Sequence, residues 1–104
     1  MTKSYNKLVR GLIPDIIRAS GAECKVTVLS DEEYLKMIDK KLDDELAEYH
    51  KDESIEELAD LLEVIYAAAA ARGYTVDELE AIRAEKKEKR GGFEKKILLI
   101  ETVE

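Results

Sequence analysis

Three helix-start signals constrain this chain more than any other feature of its sequence. In each signal a serine or threonine is followed three residues later by a glutamate, as in Ser30 with Glu33, Ser54 with Glu57, and Thr75 with Glu78. This spacing is that of the capping box, in which the hydroxyl accepts a hydrogen bond from the backbone amide of the glutamate. The sequence therefore predicts helices that open after residues 30, 54 and 75.

Apolar residues recur at steps of three and four behind these signals. After Ser30 they are Tyr34, Leu35, Ile38, Leu42, Leu46 and Tyr49. Such spacing is typical of an amphipathic helix. We expect one helix to end near Lys51, the next to end at Gly73, and the last to stop at Gly91-Gly92, because glycine commonly terminates helices.

The remaining segments predict smaller elements. Pro14 and Gly21 bracket a short helix over residues 15–20, since proline favours the first helical turn and glycine the end. Residues 24–29 alternate and are partly β-branched, and residues 96–101 contain an apolar run. We expect these two strands to pair, because an isolated strand leaves its backbone groups without partners. The predicted fold is mainly α, an antiparallel helical hairpin or bundle with a minor two-stranded β element.

Composition supports a single helical domain over residues 1–104. The chain is 45% hydrophobic and 39% charged, with one proline. Its net charge of −7 opposes binding to the phosphate backbone of nucleic acids. The longest uncharged apolar run is the eight residues from Val64 to Ala71, too few to span a bilayer. A lone Cys24 and the lack of a signal-peptide pattern lead us to expect a cytoplasmic protein.

Acidic and basic residues are concentrated in different parts of the chain. Residues 31–63 hold fourteen acids and four bases, whereas residues 83–96 hold seven bases and three acids. An acidic centre flanked by basic ends can hold a divalent cation and a polyphosphate together. Charged helix faces are also ordinary on globular proteins, so this feature alone leaves both interpretations open.

Four acids take matched positions on the two central helices. A short connection makes neighbouring helices antiparallel, so residues whose numbers have the same sum lie at the same level. Glu48 lies level with Glu57, and Glu45 lies level with Asp60. Glu45 also falls inside the apolar stripe, where an unpaired carboxylate is costly. Asp60 is the least well aimed of the four.

Oxygen ligands of this kind suit Mg²⁺ or Mn²⁺. Zinc is disfavoured because His50 and Cys24 are the only histidine and cysteine. Simpler roles remain open for two of the acids. Glu57 can serve as the capping glutamate of Ser54, and Glu45 can pair with Lys41 one turn earlier.

The acids also carry a family resemblance. The run Asp44-Glu45-Leu46-Ala47-Glu48, followed by Glu57-Leu58-Ala59-Asp60, resembles the E-E-x-x-E … E-x-x-D signature of MazG-like, all-α nucleoside triphosphate pyrophosphohydrolases. The runs Tyr5–Arg10, Ile13-Pro14 and Lys89–Phe93 resemble a small subgroup often described as phosphoribosyl-ATP pyrophosphohydrolase-like. Asp44 stands where the family usually has glutamate, and the gap between the two halves is short.

The resemblance implies a Mg²⁺-dependent enzyme that hydrolyses a nucleoside triphosphate, including noncanonical ones, to the monophosphate and pyrophosphate. It implies Glu45, Glu48, Glu57 and Asp60 as metal ligands, and dimeric or tetrameric assembly. Either Asp44 or Glu45 would accept the proton of the attacking water. Candidates for binding the triphosphate are Lys7, Arg10, Lys89 and Arg90, whose simpler role is surface solvation.

Two further expectations concern assembly. Apolar residues cover about two-thirds of the circumference of the helix from Ser54 to Arg72, wider than the ~100° stripe of a surface helix. We therefore expect a homo-oligomer, although the alanines of residues 67–71 also simply favour helix formation. The alternative function is a non-catalytic helical dimerisation or regulatory module whose acids form a solvated face.

Overall fold

The computed structural model describes residues 1–104 and is all-helical. Its four helices are α1 (Ile13–Ala19), α2 (Asp31–Asp52), α3 (Ile55–Ala71) and α4 (Val76–Arg90). Their order and approximate bounds are those expected from the capping signals and the apolar period. None of the four combines the length and the apolar character that crossing a bilayer requires.

The three predicted caps hold the starts of the long helices, with one difference. Ser30 and Thr75 each form a complete capping box with the glutamate three residues later. At α3 the backbone amide of Glu57 donates to Ser54 Oγ at 3.2 Å, but the reciprocal side-chain bond is absent. The capping box expected at Ser54 is thus only half formed. The Glu57 carboxylate is left to interact elsewhere.

Tight local turns set the path between the helices. Only Glu53 and Ser54 separate α2 from α3, and Glu53 adopts a left-handed conformation with φ 51°. At the end of α3, Gly73 has φ +90°. There the amide of Tyr74 donates to the Ala69 carbonyl and that of Gly73 to the Ala70 carbonyl. This pair of bonds is the Schellman ending that glycine favours.

Packing is concentrated between α2 and α3. These two helices form an antiparallel hairpin. Helix α4 makes a smaller contact with α3, and α1 contacts no other helix. Ile38 of α2 and Val64 of α3 are the buried residues of the chain. An ion pair of 2.9 Å between Arg72 and Asp39 ties the end of α3 to α2. The hairpin is therefore the best-packed part of the fold.

The predicted two-stranded β element is not formed within the chain. No backbone hydrogen bond involves residues 22–29 or 97–104. A turn ends at the first residue of the second predicted strand, residues 96–101, where the Lys96 amide donates to the Phe93 carbonyl. The two segments are carried by helices that do not touch, since α4 contacts neither α1 nor α2. The prediction of intrachain pairing was wrong, because the helices before and after the first segment do not contact the helix that leads to the second.

The molecule is much more open than a compact domain of its length. Its radius of gyration is 18.3 Å and its longest extent is 62 Å. A compact chain of this length has a radius of gyration of about 13 Å. Large apolar side chains remain exposed on α3, between α1 and α2, and after α4; Leu62, Val28 and Leu98 are examples. The single chain therefore covers only part of its apolar surface.

Candidate functional site

A polar cavity of about 440 Å³ lies along the α2–α3 hairpin. Only one of its eight lining residues is apolar. The lining residues are Lys7, Lys41, Asp44, Glu45, Ala47, Glu48, Glu57 and Asp60. All four predicted metal ligands and both candidate proton acceptors therefore line one cavity. Its lining suits a charged ligand rather than an apolar one.

Five acids of the hairpin form two overlapping groups, which we call the carboxylate cluster. Oxygen atoms of Glu45, Glu57 and Asp60 lie within 4.8 Å of one another. Oxygen atoms of Glu48, Asp52 and Glu57 do the same. Glu57 belongs to both groups. The Glu57 side chain lies in the cluster instead of completing the cap of Ser54.

The matched levels on the two helices explain this arrangement. Glu45 and Asp60 come together across the hairpin, as do Glu48 and Glu57. Asp60, the least well aimed in sequence, reaches the cluster once the helices pack. The Glu45 side chain is only 14% exposed, in agreement with its place in the apolar stripe. The hairpin thus holds like charges close together.

Glu57 shows the electrostatic consequence most clearly. Desolvation raises its pKa above the ordinary value of 4.5. The negative charges of Asp60, Asp52, Glu48 and Glu45 raise the pKa further. Neighbouring carboxylates disfavour ionisation in this way until a proton or a cation offsets their repulsion. The cluster is therefore a place where a cation would be stabilised.

Cationic side chains already border the cluster. Arg10 Nη2 lies 2.7 Å from Asp60 Oδ1, which joins the N-terminal segment to α3. Lys41 Nζ lies 3.2 Å from Glu45 Oε1, and Lys40 Nζ lies 3.1 Å from Asp44 Oδ2. Lys7 lines the cavity. Two of the four candidate phosphate-binding residues, Lys7 and Arg10, are thus beside the predicted metal ligands.

The other two candidates lie away from this cavity. Lys89 pairs with Glu85 on its own helix at 2.8 Å. Arg90 lines a separate cavity formed by the turn after α4, together with Gly91, Gly92 and Phe93. The single chain does not bring Lys89 and Arg90 to the carboxylate cluster. Their role in phosphate binding stays a prediction.

Two residues have a larger place in the site than the sequence indicated. Asp52 joins the cluster at the end of α2, one turn beyond Glu48. Lys41 was expected only to pair with Glu45, and it also lines the cavity. Both could have been found from their spacing. Each lies four residues from a predicted ligand, and residues four apart on a helix share a face.

The spacing of the carboxylates is compatible with a small divalent cation. Mg²⁺ binds oxygen at about 2.0–2.1 Å, so oxygens on opposite sides of the ion lie about 4.2 Å apart. Three oxygens within 4.8 Å of one another need only a small adjustment to meet this distance. Acidic groups also cluster on proteins without a metal. The geometry thus defines which residues can hold a cation.

Comparison with known proteins adds one partial similarity. The chain is 52% identical over 42 residues to an uncharacterized protein of Mycolicibacterium smegmatis. The matched stretch covers 40% of this chain and 43% of that protein, less than half of either. No protein-family model matches the chain. No solved structure matches it.

The raised pKa of Glu57 predicts a pH dependence of stability. A carboxyl that holds its proton more tightly in the folded state stabilises the fold at low pH, and this contribution is lost as pH rises through the folded-state pKa. We expect the free energy of unfolding of the metal-free protein to fall, relative to Glu57→Gln, as pH rises above 4.5. Urea unfolding in the presence of a chelator measures the difference.

The adjacent Glu56 supplies a matched control, because it lies on the same turn of α3 and is exposed. Glu56→Gln should leave the pH dependence of the wild type unchanged. Identical pH dependence in the Glu57→Gln protein and the wild type would contradict the electrostatic description of the cluster.

Proposed function

We propose that this protein is a MazG-like, Mg²⁺-dependent nucleoside triphosphate pyrophosphohydrolase of the cytoplasm. The observation that carries the proposal is the convergence of Glu45, Glu57 and Asp60 from facing helices, with oxygens within 4.8 Å. The resemblance to the pyrophosphohydrolase signature supports the choice of reaction. The charged lining of the cavity supports an ionic ligand such as a triphosphate with its cation.

The proposed metal ligands are Glu45, Glu48, Glu57 and Asp60, with Mg²⁺ or Mn²⁺ as the ion. When bound, the ion supplies charge neutralisation at the phosphate oxygens and a water of lowered pKa. The helices already place all four carboxylates along the cavity in the metal-free protein. The carboxylate oxygens would bind the ion, and the substrate phosphates would complete the set of oxygen ligands.

Proton transfer falls to a carboxylate of the same cavity. Asp44 and Glu45 both line it, and each has a lysine partner four residues earlier on α2. We assign the acceptance of the proton from the attacking water to one of these two carboxylates. Water attack at the α-phosphorus breaks the bond to the bridging oxygen of the pyrophosphate. The products are a monophosphate and pyrophosphate.

Substrate phosphates also need cationic partners from the protein. Lys7 lines the cavity and Arg10 lies at its edge on Asp60. An arginine guanidinium binds phosphate and carboxylate with the same planar set of donors. We propose that Arg10 serves both groups, Asp60 in the free protein and a phosphate in the complex.

Substitution of the proposed ligands tests the function. We expect Glu48→Gln and Asp60→Asn to abolish metal-dependent release of pyrophosphate from a panel of standard and modified triphosphates, because each removes a charged oxygen ligand. Glu45→Gln should also abolish activity. Chromatography of the products should show monophosphate and pyrophosphate.

Glu63→Gln is the matched control, since Glu63 lies on α3 and is exposed outside the cavity. It should retain wild-type turnover. Wild-type turnover in the Asp60→Asn protein would refute the site, and diphosphate with orthophosphate as products would refute the reaction.

The ion pair of Arg10 with Asp60 predicts competition with the metal. If Asp60 exchanges its guanidinium partner for the cation, Arg10→Gln should tighten Mn²⁺ binding. Exposed ion pairs contribute about 0.2–1 kcal/mol, so we expect a gain in affinity of about 1.4- to fivefold. Isothermal titration calorimetry with Mn²⁺ measures it.

Arg72→Gln is the control, because Arg72 pairs with Asp39 at 2.9 Å with similar exposure but outside the cavity. Its affinity should equal that of the wild type. Weaker Mn²⁺ binding in the Arg10→Gln protein would contradict the competition.

We also propose that the protein is a homo-oligomer, a dimer or a tetramer. Two residues of the chain are buried, and Leu58, Leu62 and Ile65 of α3 are each more than one-third exposed. A symmetric partner that offers the same face would cover these side chains. The same exposed surface also favours the alternative function of a non-catalytic dimerisation module, from which metal-dependent turnover distinguishes the enzyme.

Light scattering at micromolar concentration tests the assembly. We expect a mass of at least two chains of 11.8 kDa. Leu62→Asp should lower that mass, because it places a charge on the uncovered face of α3, whereas Glu63→Gln should not. A mass of one chain that does not change with concentration would refute the oligomer.

A further inference from the structure

Two segments of this chain outside the helices have backbone groups without partners. They are residues 24–29, which we call the first segment, and residues 97–101, which we call the second segment. Neither makes a backbone hydrogen bond. Val28 and all four residues from Ile97 to Ile100 are 75–95% exposed. Unpaired backbone and exposed apolar side chains together are the properties of a strand that lacks its neighbour.

We propose that the first segment of one copy of this chain pairs with the second segment of another copy as an antiparallel β-ladder. A twofold axis would form two such ladders at once, because each copy supplies both segments. The inference concerns assembly and does not depend on the proposed metal chemistry. It identifies the segments by which two copies join. The exposed apolar side chains of α3 indicate an oligomer but do not identify these segments.

One antiparallel register matches side chains along both segments. In it, paired residues have numbers that add to 126, so Val28 lies opposite Leu98 and Val26 opposite Ile100. These four apolar residues share one face of the ladder, since side chains alternate between faces along a strand. On the other face, Lys25 lies opposite Glu101. Opposite charges in such a pair stabilise a ladder, and like charges destabilise it.

A shift of the register by two residues loses this complementarity. If the numbers of paired residues add to 124, Glu101 lies opposite Glu23 and Lys25 opposite Leu99. Beyond the ladder in the favoured register, Lys95 approaches Asp31 at the start of α2. The favoured register therefore has opposite charges at both ends, and three of the four pairs between residues 26–29 and 97–100 are apolar, the exception being Thr27 with Leu99.

The path of the chain favours a second copy over closure within one chain. The second segment follows α4, which contacts neither α1 nor α2, whereas the first segment lies between α1 and α2. The turn that joins the Lys96 amide to the Phe93 carbonyl at 3.1 Å shortens the only connection from α4 to the second segment. Within one chain the two segments therefore stay apart.

The exposed apolar side chains set an upper limit to the area of the contact. Seven large apolar side chains are exposed in and beside the two segments, namely Val26, Val28, Ile97, Leu98, Leu99, Ile100 and Val103. Burying one such side chain removes roughly 60–120 Å² from water. If all seven were covered in both copies, two symmetric ladders would bury up to about 800–1,700 Å², compared with about 1,200–2,000 Å² for standard protein interfaces. A partner of another kind would have to supply a matching strand that this chain already carries.

Disulfide cross-linking between singly substituted proteins tests the pairing. In a Cys24→Ser background, one full-length protein carries Val28→Cys and another carries Leu98→Cys. We expect mild oxidation of the mixture to give the mixed disulfide dimer in preference to either homodimer, as identified by mass spectrometry. Thr27→Cys with Leu99→Cys is the second pair, because successive pairs alternate between closer and wider side chains.

Val28→Cys mixed with Val103→Cys is the control, since these positions are out of register and should cross-link much less. Two results would overturn the proposal. One is ring closure within a single chain that carries both Val28→Cys and Leu98→Cys at dilute concentration. The other is a failure of both in-register mixtures to cross-link above the control, whether or not the protein is an oligomer.

Discussion

The closeness of like charges on the α2–α3 hairpin is the constraint on which the rest of the site depends. Packing of the two helices brings Glu45, Glu57 and Asp60 within 4.8 Å. Desolvation, and after it repulsion by the neighbouring carboxylates, raises the pKa of Glu57, and Arg10 and Lys41 offset part of the charge. Helix packing, which is driven by apolar contacts such as those of Ile38 and Val64, holds the acids together despite this repulsion.

The helices could be predicted from the sequence because their signals are local. Ser30 and Thr75 begin α2 and α4 through complete capping boxes, and Gly73 ends α3 in the left-handed region. The opposition of Glu45 and Asp60 followed from counting along an antiparallel hairpin. It required only that the connection be short, and two residues make it so.

What could not be predicted depends on contacts between distant parts of the chain. The half-formed cap at Ser54 reflects the position of the Glu57 carboxylate in the cluster rather than its spacing. The pair of Arg10 with Asp60 spans fifty residues. The absence of the predicted β pairing also depends on distant parts of the chain. The alternating pattern of residues 24–29 predicts an extended conformation but not which strand will lie beside it.

The central claim is that the carboxylate cluster binds a divalent cation, and thermal unfolding tests it most directly. Binding to the folded state alone stabilises it by about 2.7 kcal/mol at a ligand concentration of one hundred times Kd. We expect Mg²⁺ or Mn²⁺ to raise the Tm of the wild type above its value in NaCl of equal ionic strength, and to raise that of the Asp60→Asn protein much less. Equal Tm values for the wild type in the divalent and sodium salts would contradict the claim.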